Sequence, residues 1–394
     1  MPDNQTNSSK NDATDSPASA TRGKRLGEVA ILFLRMGLTA FGGPAAHIAL
    51  IEEECVRRRG WLSREHFLDL LGAANLIPGP TSTELVMHCG LQRAGWLGLF
   101  VAGVCFITPT AVIVGLLAAV YVQAGDLPAF EGLLQAVKPV VVIVVFQALF
   151  RLTRTAIRTV PTILLAGAAV LITYTGIPEV WILLLAGVVS AIVGRRWVLA
   201  MLAAVISMPM KVVAMTSAAT AITSVAVSSL FTYFLKTGAV IFGSGYVLFA
   251  LLEGDLVQRY GWLTQAQLLD AIAVGQVTPG PVFTSATFIG YLLAGPTGAV
   301  VATFGIFLPA FLFTALSATL VRRVRNTPAA RGFLDGVNAA AVALIAVVLY
   351  ELTRSALVDL TMVAIAAISA VLILWLKVNS AWVIVGAAAI GLFL

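Results

Sequence analysis

Long stretches without a charged side chain constrain this sequence more than any other feature. No Asp, Glu, Lys or Arg lies between Arg93 and Asp126, or between Asp270 and Arg322. Each stretch is longer than the roughly 20 apolar residues that cross a bilayer as a helix. Only 11% of all residues are charged, against about 25% in soluble proteins. The sequence therefore predicts an all-α polytopic membrane protein and excludes a water-soluble fold.

The chain contains an internal repeat. At an offset of 201 residues, Phe41-Gly42-Gly43 aligns with Phe242-Gly243-Ser244, and Pro78-Gly79-Pro80 aligns with Pro279-Gly280-Pro281. After one deletion the match continues at an offset of 200 nearly to the C-terminus. We infer two homologous halves.

Charge bias predicts that the halves have opposite orientations in the membrane. The stretch 57–64 carries four arginines, whereas its partner 258–265 carries one. The loop 322–331 also carries four arginines, whereas its partner 122–131 has no Lys or Arg. Because positively charged loops stay in the cytoplasm, equivalent loops prefer opposite sides. This is an inverted-topology repeat, an architecture common in transporters.

The repeat and the tail divide the chain into four parts. The N-terminal tail is polar, lacks the apolar core of a signal peptide, and ends in basic residues that favour a cytoplasmic N-terminus. The parts are a disordered cytoplasmic tail (1–25), an N-terminal transmembrane repeat (26–200), a linking segment that includes a crossing (201–226) and an inverted C-terminal transmembrane repeat (227–394).

Two motifs interrupt the apolar segments once in each half. The Phe-Gly-Gly-Pro and Phe-Gly-Ser-Gly runs let backbone approach a ligand closely, and Pro-Gly-Pro ends one helix and begins another. Irregular backbone is tolerated at membrane depth only where it is buried in protein or lines a wet cavity. We therefore predict broken or re-entrant helices around a central site. Amide groups and positive dipole ends at such helix starts favour an anion.

Lys and Arg side chains within the apolar segments also favour a negatively charged ligand. Arg35 and Lys236 occupy equivalent positions, and Lys138 is the only ionisable residue from 132 to 150. A charge at membrane depth usually has a functional partner, although snorkelling to the headgroups is the alternative for Arg35 and Lys236. The predicted substrate-binding residues are Arg35, Gly42, Gly43, Pro44, His47, Pro78, Gly79, Pro80, Thr81, Ser82, Lys138, Lys236, Gly243, Ser244, Gly245, Pro279, Gly280 and Pro281.

Glu84 and His88 lie four residues apart, hence on one face of the helix after the first Pro-Gly-Pro. The second half has Ser285 in place of the glutamate. A carboxylate and an imidazole present in only one half are proton-coupling candidates, and an interfacial polar stripe is the alternative. Asp69, which recurs as Asp270, is expected to form ion pairs with nearby arginines at the surface.

No motif indicates a metal site, a cofactor or a catalytic residue. The three cysteines are far apart and form no CxxC pair, so neither a disulfide framework nor a thiolate site is indicated. The sequence also has no Gly-rich dinucleotide motif and no haem attachment signal. These observations argue against a membrane-bound reductase, which is the alternative from a different functional class.

At these motifs the sequence resembles the chromate ion transporter family, in its long two-domain form. The resemblance is carried by the run Arg35 to Ile48, by Gly60-Trp61-Leu62 and by the run Pro78 to Leu85, with a degenerate second copy from Lys236 to Pro281. It covers nearly the whole chain after the tail. It implies a bacterial inner-membrane protein that exports chromate, with sulfate as a competing anion, driven by the proton-motive force.

The residues alone indicate an anion transporter in a lipid bilayer. A passive oxyanion channel and a sulfate transporter remain alternatives, and a homodimer stays open. No nucleic-acid partner is expected, because cytoplasmic loops account for the net charge of +6. Export is physically favourable, since a dianion leaving a negative interior gains about 4.6 kcal/mol at 100 mV.

The charge bias gives a test of orientation. Residues 123–128 should be periplasmic and 322–331 cytoplasmic. In a background without the native cysteines, a membrane-impermeant thiol reagent added from outside should modify Gly125→Cys and spare Asn326→Cys. Labelling of both positions from the same side would contradict the inverted repeat.

Overall fold

A computed structural model describes residues 22–41, 43–75, 77–124, 128–175, 177–192, 225–241, 247–324 and 328–393. All regular secondary structure in these ranges is helical, as the apolar composition predicts. Most of the tail and most of the linking segment, including its predicted crossing, lie outside the described residues.

The two halves contain the same order of helices. In the first half these are α1 (Arg22–Thr39), α2 (Gly43–Glu52), α3 (Arg64–Ala74), α4 (Thr81–Ala124), α5 (Pro128–Ala156), α6 (Val160–Thr173) and α7 (Glu179–Ile192). In the second they are α8 (Val227–Val240), α9 (Val247–Leu252), α10 (Gln265–Val277), α11 (Ser285–Val324), α12 (Pro328–Ala356), α13 (Leu360–Ala370) and α14 (Ser380–Gly391). Short π-helical turns follow α2, α9 and α13, at Glu53–Arg58, Glu253–Arg259 and Val371–Trp375, and a 3-10 turn, Val282–Thr284, precedes α11.

The long helices α4 and α11 fold back on themselves. Both leave helical geometry at a glycine with positive φ, +71° at Gly95 and +61° at Gly295, a conformation that glycine adopts at little cost. The chain reverses there, because Gly90 and Gly98 touch so closely that a Cβ on either would clash with the carbonyl oxygen of the other. Each long element is therefore a hairpin of two helical arms.

Helix length separates crossing elements from shorter ones. Within the described residues, α4, α5, α11 and α12 are long and apolar enough to cross a membrane. By contrast, α3 has 11 residues and the first arm of α4 spans 81–93, so each rises at most about 20 Å against a hydrocarbon core of about 30 Å. These lengths favour re-entrant segments at the first Pro-Gly-Pro break.

The halves are intertwined at their C-terminal helices. The α7 helix of the first half packs on α12 of the second, where Gly187 lets Phe333 approach. Reciprocally, α14 packs on α5, where Gly391 meets Gly132. One hydrophobic core runs through both halves. Such reciprocal contacts are those of a two-fold interface, so each half completes the other.

Packing breaks the symmetry of the repeat. The α9 and α10 helices pack against α12 and α5, and all six residues of α9 are buried. In the corresponding first-half helices, Ala46 and Ala49 of α2 are exposed. Leu269 of α10 is 0% exposed, whereas its counterpart Leu68 in α3 is 50% exposed. The molecule is closed around α9 and α10 and more open around α2 and α3.

The hairpin in α4 predicts opposite effects of two glycine-to-alanine substitutions. Gly90→Ala should destabilise the protein by about 1–3 kcal/mol, because its Cβ has no room against the second arm. Gly115→Ala should be neutral or stabilising by up to about 1 kcal/mol, since a Cβ there meets nothing within 4 Å. Thermal unfolding in detergent measures both, and equal melting temperatures would contradict the close packing of the arms.

Candidate functional site

The broken segments of the two halves meet through a reciprocal pair of hydrogen bonds. The N–H of Gly79 donates to the carbonyl oxygen of Ile241 at 2.6 Å, and the N–H of Gly280 donates to that of Ala40 at 2.8 Å. Gly79 and Gly280 are equivalent in the repeat, as are Ala40 and Ile241. Each Pro-Gly-Pro break is therefore hydrogen-bonded to the residue that directly precedes the Phe-Gly motif in the sequence of the opposite half.

Only glycine fits at the centre of each Pro-Gly-Pro. The φ angles are +139° at Gly79 and +87° at Gly280, a region that disfavours other residues. A Cβ would also clash with the Glu84 carboxylate at Gly79, and with the Thr110 hydroxyl at Gly280. Both glycine amides already donate to carbonyls, so neither of them is free to donate to a ligand.

The residues after the first break begin a regular helix. Thr81, Ser82 and Thr83 open α4 and are buried. Hydroxyls at a helix start, together with the positive end of the helix dipole, suit an anion. In the second half a 3-10 turn takes this place, and Thr284 and Ser285 donate their hydroxyls to carbonyls of their own turn at 2.8 and 2.9 Å. The two helix starts are thus chemically unequal.

His47 joins the two breaks of the first half. Its Nε2 lies 2.9 Å from the carbonyl oxygen of Ala40, and its Nδ1 lies 3.4 Å from the hydroxyl of Ser82. A carbonyl only accepts, so Nε2 carries the hydrogen and Nδ1 accepts from Ser82. The buried ring also packs edge-on against Phe106. His47 therefore positions Ser82 at the start of α4.

A buried polar cluster lies beside the first break. It consists of Glu84 and His88 on α4 and of Thr314 and Ser317 on α11, and all four are buried. The Nε2 of His88 is 3.2 Å from the hydroxyl of Ser317. Within the described part of the chain, no partner is found for either carboxylate oxygen of Glu84, for Nδ1 of His88 or for the Thr314 hydroxyl. Such unsatisfied atoms are rare and costly, so this cluster is suited to bind a proton or a polar ligand.

Lys138 is isolated in sequence but not in space. Its Nζ lies 4.0 Å from Oδ1 of Asp270, and the hydroxyl of Tyr121 donates to Oδ2 of the same carboxylate at 3.0 Å. The repeat does not reproduce this group, because Asn338 and Val321 stand at the positions of Lys138 and Tyr121. The ion pair holds α10 against α5 on the closed side. It accounts for the lysine charge without a ligand, and anion binding by Lys138 stays a prediction.

Arg35 and Lys236 lie at the periphery. The Arg35 guanidinium is 3.3 Å from Glu54 and its side chain is 59% exposed, which corresponds to the snorkelling alternative. Lys236 is exposed and borders a cavity of about 440 Å³ beside Tyr260 and Trp262.

Of the remaining predicted substrate-binding residues, some are described by the structure and others are not. Gly43 begins α2 with a φ of +75° and Pro44 follows it. The candidates at 42 and 243–245 lie outside the described residues. In the part that is described, no group of three His, Cys, Asp or Glu residues could hold a metal ion.

Sequence reasoning missed the residues that complete these clusters. Asp69 is exposed, but its repeat partner Asp270 is buried beside Lys138, and the only sequence signal was that the aspartate recurs. Thr314 and Ser317 are spaced to share one face of α11. Nothing in the sequence indicated that this face meets His88.

Comparison with known proteins identifies the family of this chain. The model of the chromate transporter family matches the chain twice, at residues 27–194 and 228–392. The chain belongs to the chromate transporter family. Because the family model matches twice, the internal repeat of this member of the chromate transporter family is confirmed. No solved structure matches the chain.

Relatives of similar length carry the family name. A chromate transport protein of Cupriavidus metallidurans is 31% identical over 375 residues, 93% of this chain and 92% of the relative. One of Pseudomonas aeruginosa is 33% identical over 333 residues, 82% and 80% of the two chains. A probable chromate transport protein of Synechococcus elongatus is 30% identical over 334 residues, 83% and 84%.

The buried ion pair predicts a rescue experiment. Lys138→Met alone should destabilise the protein by about 3–5 kcal/mol, because it leaves the Asp270 charge buried and unpaired. Lys138→Met combined with Asp270→Asn should recover most of this loss, since both charges are then absent. Melting temperatures in detergent measure the effect, with Asn338→Met as the control at the equivalent position. A double variant no more stable than the single variant would contradict the pairing.

Proposed function

We propose that this protein is a secondary active transporter that exports chromate across the bacterial inner membrane. Family membership and the names of the three relatives support chromate as substrate and transport rather than catalysis. The buried hydroxyls at the start of α4 support an oxyanion ligand. Sulfate, which is also a tetrahedral dianion, competes for the same site.

One observation favours a transporter over a passive channel. The two halves are linked reciprocally at their breaks, yet α9 and α10 of the second half are buried while α2 and α3 of the first half are partly exposed. In an inverted repeat, exchanging these two packings moves the opening from one side of the membrane to the other. We propose that the two halves exchange these buried and partly exposed arrangements during transport. Opposite arginine bias in equivalent loops supports the inverted orientation.

The membrane potential supplies a driving force for this direction. A dianion that leaves an interior 100 mV negative gains about 4.6 kcal/mol, which corresponds to about three decades of concentration. The electrical part of the proton-motive force therefore drives export without ATP.

Proton coupling is assigned to Glu84 and His88. A buried carboxylate without partners is costly unless it binds a proton or a cation. An ionised Glu84 would also repel a dianion held at the start of α4, whereas a neutral Glu84 would not. Anion binding and the charge of Glu84 are thereby linked, and His88 lies one helical turn further along for proton exchange.

The proposed function is tested with everted membrane vesicles, whose cytoplasmic face points outward. Vesicles containing the protein should accumulate labelled chromate with saturation, lose accumulation on addition of an uncoupler, and show competition by sulfate more than by phosphate. Vesicles without the protein are the control. Absence of chromate accumulation would reject the proposal, and unsaturable flux that follows the membrane potential but ignores an imposed pH gradient would favour a channel.

Substitution of Glu84 tests the coupling. Glu84→Gln keeps the size of the side chain but cannot exchange a proton. Chromate transport in this variant should become at least roughly tenfold less responsive to an imposed pH gradient, because the proton-exchanging group is gone, while it still responds to membrane potential. Ser285→Ala, at the equivalent position of the second half, should leave both responses unchanged. An unaltered pH-gradient response in Glu84→Gln would exclude this residue.

A further inference from the structure

A cationic cavity opens beside the Phe-Gly break of the first half. Its volume is about 720 Å³, and its walls come from the break, from the end of α5 and from the turn between α13 and α14. Phe41 and Ala46 line it on the side of the break. Arg151, Arg154 and Lys377 also line it, and its lining contains no carboxylate.

These three cations differ from the six arginines between positions 35 and 93. Arg35, Arg57, Arg58, Arg59, Arg64 and Arg93 all form ion pairs with carboxylates. Among the ion pairs found between described residues, none involves Arg151, Arg154 or Lys377. Arg154 instead packs its guanidinium over the ring of Phe150 at 4.3 Å. The positive charge of the cavity is therefore not neutralised within the described structure.

Lys377 occupies a position that would suit glycine better. Its φ is +55°, the only positive φ at a non-glycine residue in the described part of the chain. The flanking amides of Leu376 and Val378 donate to carbonyls of the preceding turn at 3.1 and 2.9 Å, the arrangement in which a helix usually ends at glycine. A side chain is strained in this region. A lysine here is therefore explained better by its charge in the cavity than by the turn.

The second half does not repeat this cationic wall. On the closed side, α9 packs directly on α12, whereas the cavity separates α2 from α5. Glu351 stands at the position of Arg151, and Ile177 at the position of Lys377. The cationic wall thus belongs to the open side. Two of its members lie in the stretch 151–158, whose three arginines, against one in the partner stretch 351–358, favour the cytoplasmic side.

We propose that this cavity is the cytoplasmic entry site for the transported oxyanion, where Arg151, Arg154 and Lys377 capture a tetrahedral dianion before it reaches the breaks. The proposal rests on the proposed function. A cleft of one charge sign with low-dielectric walls raises the local concentration of its counter-ion and the rate of association. The headgroup of an anionic lipid has similar chemistry, but Phe41 and Ala46 connect this cavity to the break, which favours the transported ion.

Everted vesicles test the proposal through the chromate concentration at half-maximal initial rate. At low ionic strength, Arg154→Gln should raise this concentration about tenfold and weaken its dependence on added salt, with the maximal rate within about twofold of the parent. The matched control is Arg354→Gln in the second half, whose guanidinium lies over the Tyr350 ring at 5.9 Å. This control should behave as the parent.

Lys377→Gly separates a structural role from capture. Glycine relieves the backbone strain, so the melting temperature should be equal or higher, yet the half-saturating chromate concentration should rise severalfold. Lys377→Arg should keep the parent's half-saturation. A merely structural lysine would give Lys377→Gly a lower melting temperature and an unaltered half-saturation.

The outcomes distinguish this proposal from the proposed function. If the parent transports no oxyanion, the proposed function fails. If the parent transports chromate while Arg154→Gln and Lys377→Gly keep its half-saturation and salt dependence, only the entry site is overturned. In proteoliposomes, the parent should keep its half-saturation when phosphatidylglycerol is replaced by phosphatidylcholine. A requirement for phosphatidylglycerol that Arg154→Gln abolishes would assign the cavity to a lipid headgroup and overturn the entry site.

Discussion

Irregular backbone inside an apolar protein needs hydrogen-bond partners, and this protein supplies them from the opposite half of its own chain. An unpaired amide or carbonyl in such surroundings costs several kcal/mol. Gly79 and Gly280 avoid that cost by donating to Ile241 and Ala40. In both cases the acceptor belongs to the other half of the repeat.

Contacts between the two halves also position other parts of the structure. The Ala40 carbonyl accepts from Gly280 and also contacts His47, which in turn holds Ser82 at the start of α4. The C-terminal helices α7 and α14 cross over in the same sense. The position of the helix start that faces the site therefore depends on contacts from both halves.

The two halves have nearly the same helices, but they differ in the polar side chains at equivalent positions. Glu84 and His88 belong to one half only, and Lys138 finds Asp270 across the interface, whereas Asn338 takes the place of that lysine in the repeat. Buried charges need partners, so each unequal placement favours one packing of the halves over the other. A difference between two packings is what an alternating-access transporter requires.

The sequence by itself determined the membrane-protein class, the repeat and the positions of the two Pro-Gly-Pro breaks, because uncharged tracts and Pro-Gly-Pro act locally on the chain. It also identified Glu84 and His88, since four residues of spacing place them on one helix face. Only the tertiary structure decided that Lys138 pairs with Asp270, that Ser317 meets His88, and that the glycine amides bind carbonyls of the opposite half. Each of these contacts joins residues more than 100 positions apart. Such contacts depend on how the two halves pack, and local sequence patterns do not predict that packing.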